Sequence, residues 1–168
     1  AKVLQSANKL LAVGAFCIGT KQIDLEACKK QGVAVFNAPY SNTRSVVELA
    51  IGEIIVLMRR TFVRSNELHQ GIWKKTAEGA RELRGKTLGI VGMGRIGQQT
   101  AKIAEAFGMK VCYTSRTVKE ELPYSATPLE ALFSESDFIA LCCPSTSENI
   151  GFVNKELLAK MKKTAYLV

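Results

Sequence analysis

The chain has 168 residues, 47% apolar and 23% charged, with 13 glycines and 4 prolines, which suits one folded domain with at most part of a second. That composition excludes a disordered or collagen-like polymer, and no run of 18 uncharged apolar residues offers a bilayer-spanning helix. The formal charge of +8, from 23 Lys/Arg against 15 Asp/Glu, is spread over both halves of the chain. Scattered charge argues against a nucleic-acid groove and leaves a small anionic ligand as sufficient use for it.

The opening Ala1-Lys2-Val3-Leu4-Gln5 has no apolar leader core. Five cysteines, at 17, 28, 112, 142 and 143, lack metal-ligand spacing, and there is one histidine. A disulfide framework and a metal site are therefore both disfavoured. The expected setting is reducing and cytoplasmic, without membrane or nucleic-acid partners.

Residues 10–17 read as a buried strand. A short helix follows over 24–32, capped by Asp24 and stopped by Gly32, and then a strand over 33–36. Strand, helix and strand in so few residues is the rhythm of a parallel sheet. Ser45 and Glu48 form a candidate capping box for a long helix over 46–60. Val46, Leu49, Ala50, Ile54, Leu57 and Met58 share one side of it, and Val47, Ile51, Ile55 and Val56 widen the apolar stripe, so the helix needs several partners. His69 and Trp73 fall in a less regular stretch. The histidine stands outside any nucleophile or metal constellation and is expected to hydrogen-bond at a surface. The tryptophan suits either an anchoring arm or packing within the subunit.

The strongest local signal is the strand Leu88–Val91 running into Gly92-Met93-Gly94-Arg95-Ile96-Gly97, with a helix over 95–107 ended by Gly108. Gly92 permits the tight turn, Gly94 lets a pyrophosphate approach the backbone, and Gly97 lets the helix pack on the strand. The amides of Arg95 and Ile96 stand at the positive end of that helix. The strand 110–114 follows, and the position after it selects the dinucleotide. A carboxylate there would accept from the ribose 2′-hydroxyl of NAD; this chain has Ser115-Arg116-Thr117 instead, which favours NADP over NAD.

Thr127 caps a further helix, with Pro128 at its first position and Glu130 at its third. The strand 138–142 then ends in Cys143 and Pro144, expected to wall an adenosine pocket. Asn154 caps a helix to about Met161, and 164–168 begins another strand. A sheet of this type ordinarily needs more strands, so the chain is expected to be part of a longer protein. The fold class read from these elements is α/β, a Rossmann-type parallel sheet with helices on both faces.

Three segments carry a family resemblance: Phe16-Cys17-Ile18-Gly19-Thr20, the run from Val35 to Leu49 containing Asn42-Thr43-Arg44-Ser45-Val46, and Arg84-Gly85-Lys86-Thr87-Leu88-Gly89-Ile90. Over essentially its whole length the chain resembles the D-isomer-specific 2-hydroxyacid dehydrogenases, which have two α/β domains with the active site between them. The resemblance implies hydride transfer between NAD or NADP and a small anionic 2-hydroxy or 2-oxo acid. The first half is most similar to members acting on 3-phosphoglycerate in serine biosynthesis, whereas Ser115-Arg116-Thr117 resembles NADP-linked glyoxylate and hydroxypyruvate reductases. By the same resemblance, residues 1–20 end a substrate-domain segment and 21–168 belong to the dinucleotide-binding domain. Helix 46–60 and the Trp73 region would form a dimer surface. The family's catalytic Arg, Glu and His fall beyond Val168, so no catalytic residue is expected within this segment. A non-catalytic dinucleotide-binding and dimerisation protein is the competing class.

Overall fold

The structure, a computed structural model, describes residues 2–168. It divides into two compact units, Ala1–Ser45 and Val46–Val168.

In the first unit, α1 (Lys2–Ser6) precedes β1 (Ala12–Ala15), α2 (Leu25–Lys30) and β2 (Ala34–Asn37). The two strands pair in parallel, with Ala12 opposite Ala34 and Ala15 opposite Asn37. Asp24 caps α2 as expected, its Oδ1 accepting from the Ala27 N–H at 2.9 Å, and Gly32 takes φ +69° just past the helix. Leu4, Cys28 and Val33 form the small core. This pairing spans the expected division at 20/21. The strand–helix–strand unit shares one sheet and one core, so residues 21–45 cohere with what precedes them.

The second unit contains α3 (Thr43–Arg59, whose first residues precede the division), α4 (Thr61–His69), β3 (Thr87–Val91), α5 (Arg95–Ala106) and β4 (Lys110–Thr114). It continues with β5 (Ser125–Ala126), α6 (Leu129–Glu135), β6 (Phe138–Leu141), α7 (Lys155–Ala159) and β7 (Tyr166–Leu167). Five strands form one parallel sheet in the order β5-β4-β3-β6-β7. Chain order runs outward from β3 in both directions, which places the switch point between β3 and β6.

Both faces of β3 are covered, which is why it reads as a continuous apolar run. Leu88 and Ile90 face one core with Val47, Ile51, Ile54 and Met58 of α3 and Ala101 and Ala104 of α5. Val91 faces the other, with Leu132 and Phe133 of α6, Ile139 of β6 and Leu157 of α7. Each fully buried large apolar side chain contributes roughly 2 kcal/mol. Gly89 points to this second face, where an added Cβ would meet Leu132 Cδ2 at 2.6 Å and overlap Ser136 Oγ. α6 can therefore seat closely only because position 89 has no side chain.

Several local expectations are corrected. α3 begins at Thr43, so Ser45 lies inside its first turn instead of capping it. Asn42 and Thr43 suit a helix start as well as Ser45 does. Its buried stripe is Val47, Ile51, Ile54 and Met58, while Leu49 is 65% exposed. His69 is the last residue of a helix, α4, entered through Arg60 at φ +55°, a corner that no glycine or proline announces. Pro128, not Thr127, is the cap residue of α6, and the Thr127 hydroxyl donates to the Ser125 carbonyl instead. The two-residue strand β5 has no periodicity by which sequence reading could find it.

Candidate functional site

A cavity of about 590 Å³ opens at the carboxyl ends of β3, β4 and β6, where strand order reverses. The glycine turn forms one wall. Gly92 has φ +103°, and an added Cβ would stand 2.7 Å from the Cys143 backbone nitrogen. A side chain there is thus barred both by conformation and by the neighbouring loop. Gly97 is buried in the first turn of α5, where a Cβ would overlap the Gly92 carbonyl oxygen. Gly94 differs from both: nothing lies within 4 Å of its missing Cβ. Two glycines are required by the protein itself, and the third faces open space.

Behind Gly94 lies the N-terminus of α5, a 12-residue helix whose cap has no side-chain hydrogen bond. The first amides of a helix have no intrahelical acceptors and carry the positive end of its dipole. Arg95 and Ile96 supply these amides, and Ile96 also packs its side chain against the core. The Gln98 amide donates to the Met93 carbonyl at 3.2 Å, holding the turn to the helix.

Ser115, Arg116 and Thr117 line the second wall, just past β4. The Ser115 hydroxyl donates to the Thr117 carbonyl oxygen. Tyr113 steadies the loop from below, its hydroxyl oxygen accepting from the Lys119 N–H at 2.8 Å. Arg116 is 85% exposed and lies 3.8 Å from the carboxylate of Glu148, itself 77% exposed.

Cys143 and Pro144 line the third wall, after β6. The Asn149 side chain ties this loop together, Oδ1 accepting from the Thr146 N–H and Nδ2 donating to the Pro144 carbonyl, both at 2.7 Å. Cys142 turns the other way, against the α3/α5 core. Burial, reinforced by Cys143 and opposed by the Thr100 hydroxyl, pushes its thiol up to about 11. Burial likewise raises Cys112, against the pull of the Ser136 and Thr127 hydroxyls. Both thiols are therefore protonated at neutral pH. All five cysteines are free.

Of the residues singled out from sequence, Gly92, Gly94, Ser115, Arg116, Thr117, Cys143 and Pro144 line this one cavity, with Arg95, Ile96 and Gly97 in the adjoining helical turn. Sequence reading missed Lys119, Thr146, Glu148, Asn149 and Phe152, which also line it. The turn-rich run Pro144-Ser145-Thr146-Ser147-Glu148-Asn149 was the available signal. His69 takes no part in the cavity lining; it is exposed, with Nδ1 2.8 Å from the Ser65 carbonyl oxygen. Among the described residues, no group of three or more His, Cys, Asp or Glu side chains gathers for a metal. Among them, too, no helix is long and apolar enough to cross a membrane.

Glycine turn, helix N-terminus and switch-point cavity together define an NAD(P)-binding domain of Rossmann type. Residues 51–168 match the family profile described as D-isomer specific 2-hydroxyacid dehydrogenase, NAD binding domain. The chain belongs to that family. It is 45% identical to D-3-phosphoglycerate dehydrogenase of Dictyostelium discoideum, over 99% of this chain and 42% of the relative. It is 46% identical to D-3-phosphoglycerate dehydrogenase 2 of Saccharomyces cerevisiae, over 99% of this chain and 36% of that relative. Among solved structures it is similar to the TT0316 protein from Thermus thermophilus, with a TM-score of 0.92 and 37% identity over 99% of this chain and 54% of that one. The chain thus spans less than half the length of the curated relatives it matches.

Proposed function

We propose that this chain is the dinucleotide-binding part of an NAD(P)-dependent oxidoreductase that acts on a D-2-hydroxy acid, with 3-phosphoglycerate as substrate and serine biosynthesis as its setting. The observation that carries the reading is the open side of Gly94, which lines the cavity immediately before the α5 N-terminus and has no neighbouring atom within 4 Å of its missing Cβ. A dinucleotide pyrophosphate fits that opening, and similarity to the D-3-phosphoglycerate dehydrogenases of several species supports the substrate.

The bound nicotinamide would supply hydride acceptance or donation. This chain's own residues bind and orient: the amides of Gly94, Arg95 and Ile96 at the pyrophosphate, and Ser115, Arg116 and Thr117 at the adenosine ribose. Cys143 and Pro144 wall the adenosine side, and Gly92 and Gly97 keep the turn tight. NADP is favoured, because a guanidinium and not a carboxylate follows β4. That same segment supports a second reading, an NADP-linked glyoxylate or hydroxypyruvate reductase. The exposed apolar residues Val46, Leu49, Phe62, Leu68 and Trp73, the last 73% exposed, support a homodimer through α3, α4 and the stretch that follows. Five free cysteines support a cytoplasmic setting.

Steady-state turnover by the full-length protein tests the substrate, with 3-phosphoglycerate oxidation expected to exceed glyoxylate reduction. The reverse order would favour the second reading. Residues 1–168 alone are expected to bind dinucleotide without turnover, and hydride transfer by that segment above a no-protein control would refute the placement of catalysis elsewhere.

A further inference from the structure

We propose that Glu148 sets how strongly the site discriminates NADP from NAD, by occupying Arg116 in the place a 2′-phosphate would take. The inference rests on the cofactor reading above and adds a residue that lies in neither the glycine turn nor the segment after β4.

Arg116 and Glu148 come from different loops, one after β4 and one after β6, and both line the same cavity. Their charged atoms lie 3.8 Å apart. At 85% and 77% exposure the pair contributes little to stability and is easily parted. Its importance lies in its position. Among the described residues lining the cavity, Glu148 is the only carboxylate, while Lys119 and Arg116 are the cations. Ser115 already donates its hydroxyl to the Thr117 carbonyl, which leaves Arg116, Thr117 and Lys119 as the donors for an added phosphate, and of these it is Arg116 that Glu148 engages.

A dinucleotide with a free 2′-hydroxyl brings no anion to this corner and can leave the ion pair in place. One with a 2′-phosphate must take the guanidinium from Glu148 and share the corner with a like charge. Glu148 therefore weakens NADP selectively. It acts through Arg116, as a positioning residue for specificity.

Calorimetric titration of the full-length protein with NADP and with NAD tests this, using the unaltered protein, Glu148→Gln, Arg116→Ala and the double variant. Glu148→Gln is expected to tighten NADP roughly threefold to fivefold and to leave NAD nearly unchanged, and the gain is expected to vanish in the Arg116→Ala background. Higher ionic strength should shrink it, because the groups are exposed. An unchanged NADP-to-NAD ratio in Glu148→Gln, with both still binding, would overturn the role of Glu148 alone. An undiminished gain without Arg116 would also overturn it. Failure of the unaltered protein to bind either dinucleotide would overturn the cofactor reading itself, and this inference with it.

Discussion

In the turn just after β3 the chain withholds side chains, whereas at the amino ends of β3 and β6 it ties the strands together with charged ones. The upper end is bounded by Gly92, Gly94 and the main chain of Cys143, around a cavity of about 590 Å³. At the lower end Asp137 accepts from the Thr87 N–H at 2.9 Å and from the Lys162 ammonium at 3.1 Å, joining the starts of β3, β6 and β7. The cavity there is smaller, about 270 Å³, and is lined by Lys86 and Asp137 among others. The glycine turn at one end leaves room for a ligand. Paired charge at the other ties the strand starts together. Binding and fixation are thus separated along a single strand, β3, and substitutions should separate in the same way.

The largest effect is expected where the two roles meet. Gly97→Ala pushes a methyl group into the Gly92 carbonyl and should cost about 3 kcal/mol of stability by urea unfolding, with loss of dinucleotide affinity. Wild-type stability in the Gly97→Ala variant would mean that the turn can move away from α5. Gly94→Ala is the cleaner probe of the upper end. Its methyl group meets no protein atom within 4 Å, so melting should be unchanged, yet dinucleotide affinity should fall by roughly twentyfold, or about 2 kcal/mol. Unimpaired binding would place the pyrophosphate somewhere else.

Asp137→Ala probes the lower end and should have the smallest effect, about 1 kcal/mol of stability at neutral pH with dinucleotide affinity intact. Burial alone would raise the Asp137 carboxyl. The Thr87 N–H, Lys162 and the nearby Lys86 outweigh burial and hold it below the ordinary carboxylate value. A depressed folded-state value contributes stability above the unfolded-state value and loses it as pH falls through the folded one. The gap between the unaltered protein and the Asp137→Ala variant should therefore be full at neutral pH and close in strong acid. A gap that widened in acid would reverse the assignment.

How much of this was legible in the sequence follows the range of the interactions. The turn at 92–97 was readable because its requirements are local: a positive φ at Gly92 and close helix packing at Gly97 belong to residues five apart. The Asp24 and Asn154 caps were readable for the same reason, each accepting from an N–H three residues on. Glu148 was not readable. Its meaning comes from Arg116, 32 positions earlier (148 minus 116), and only the parallel register of β3 with β4 and β6 brings the two loops to one cavity. The corner at Arg60 was hidden differently, since a left-handed arginine leaves no mark in composition. The boundary at 45/46 depends on which sheet β2 joins, a choice made by tertiary pairing.

Gly89 touches no part of the cavity, yet it sets the seat of α6, and α6 leads directly into β6 and the Cys142–Cys143 main chain on which Gly92 closes. A methyl group at position 89 would act as a shim, lifting that helix and carrying the far wall with it. Packing thus bars a side chain at this interior position as firmly as it does at Gly92 and Gly97, although position 89 lies outside the cavity.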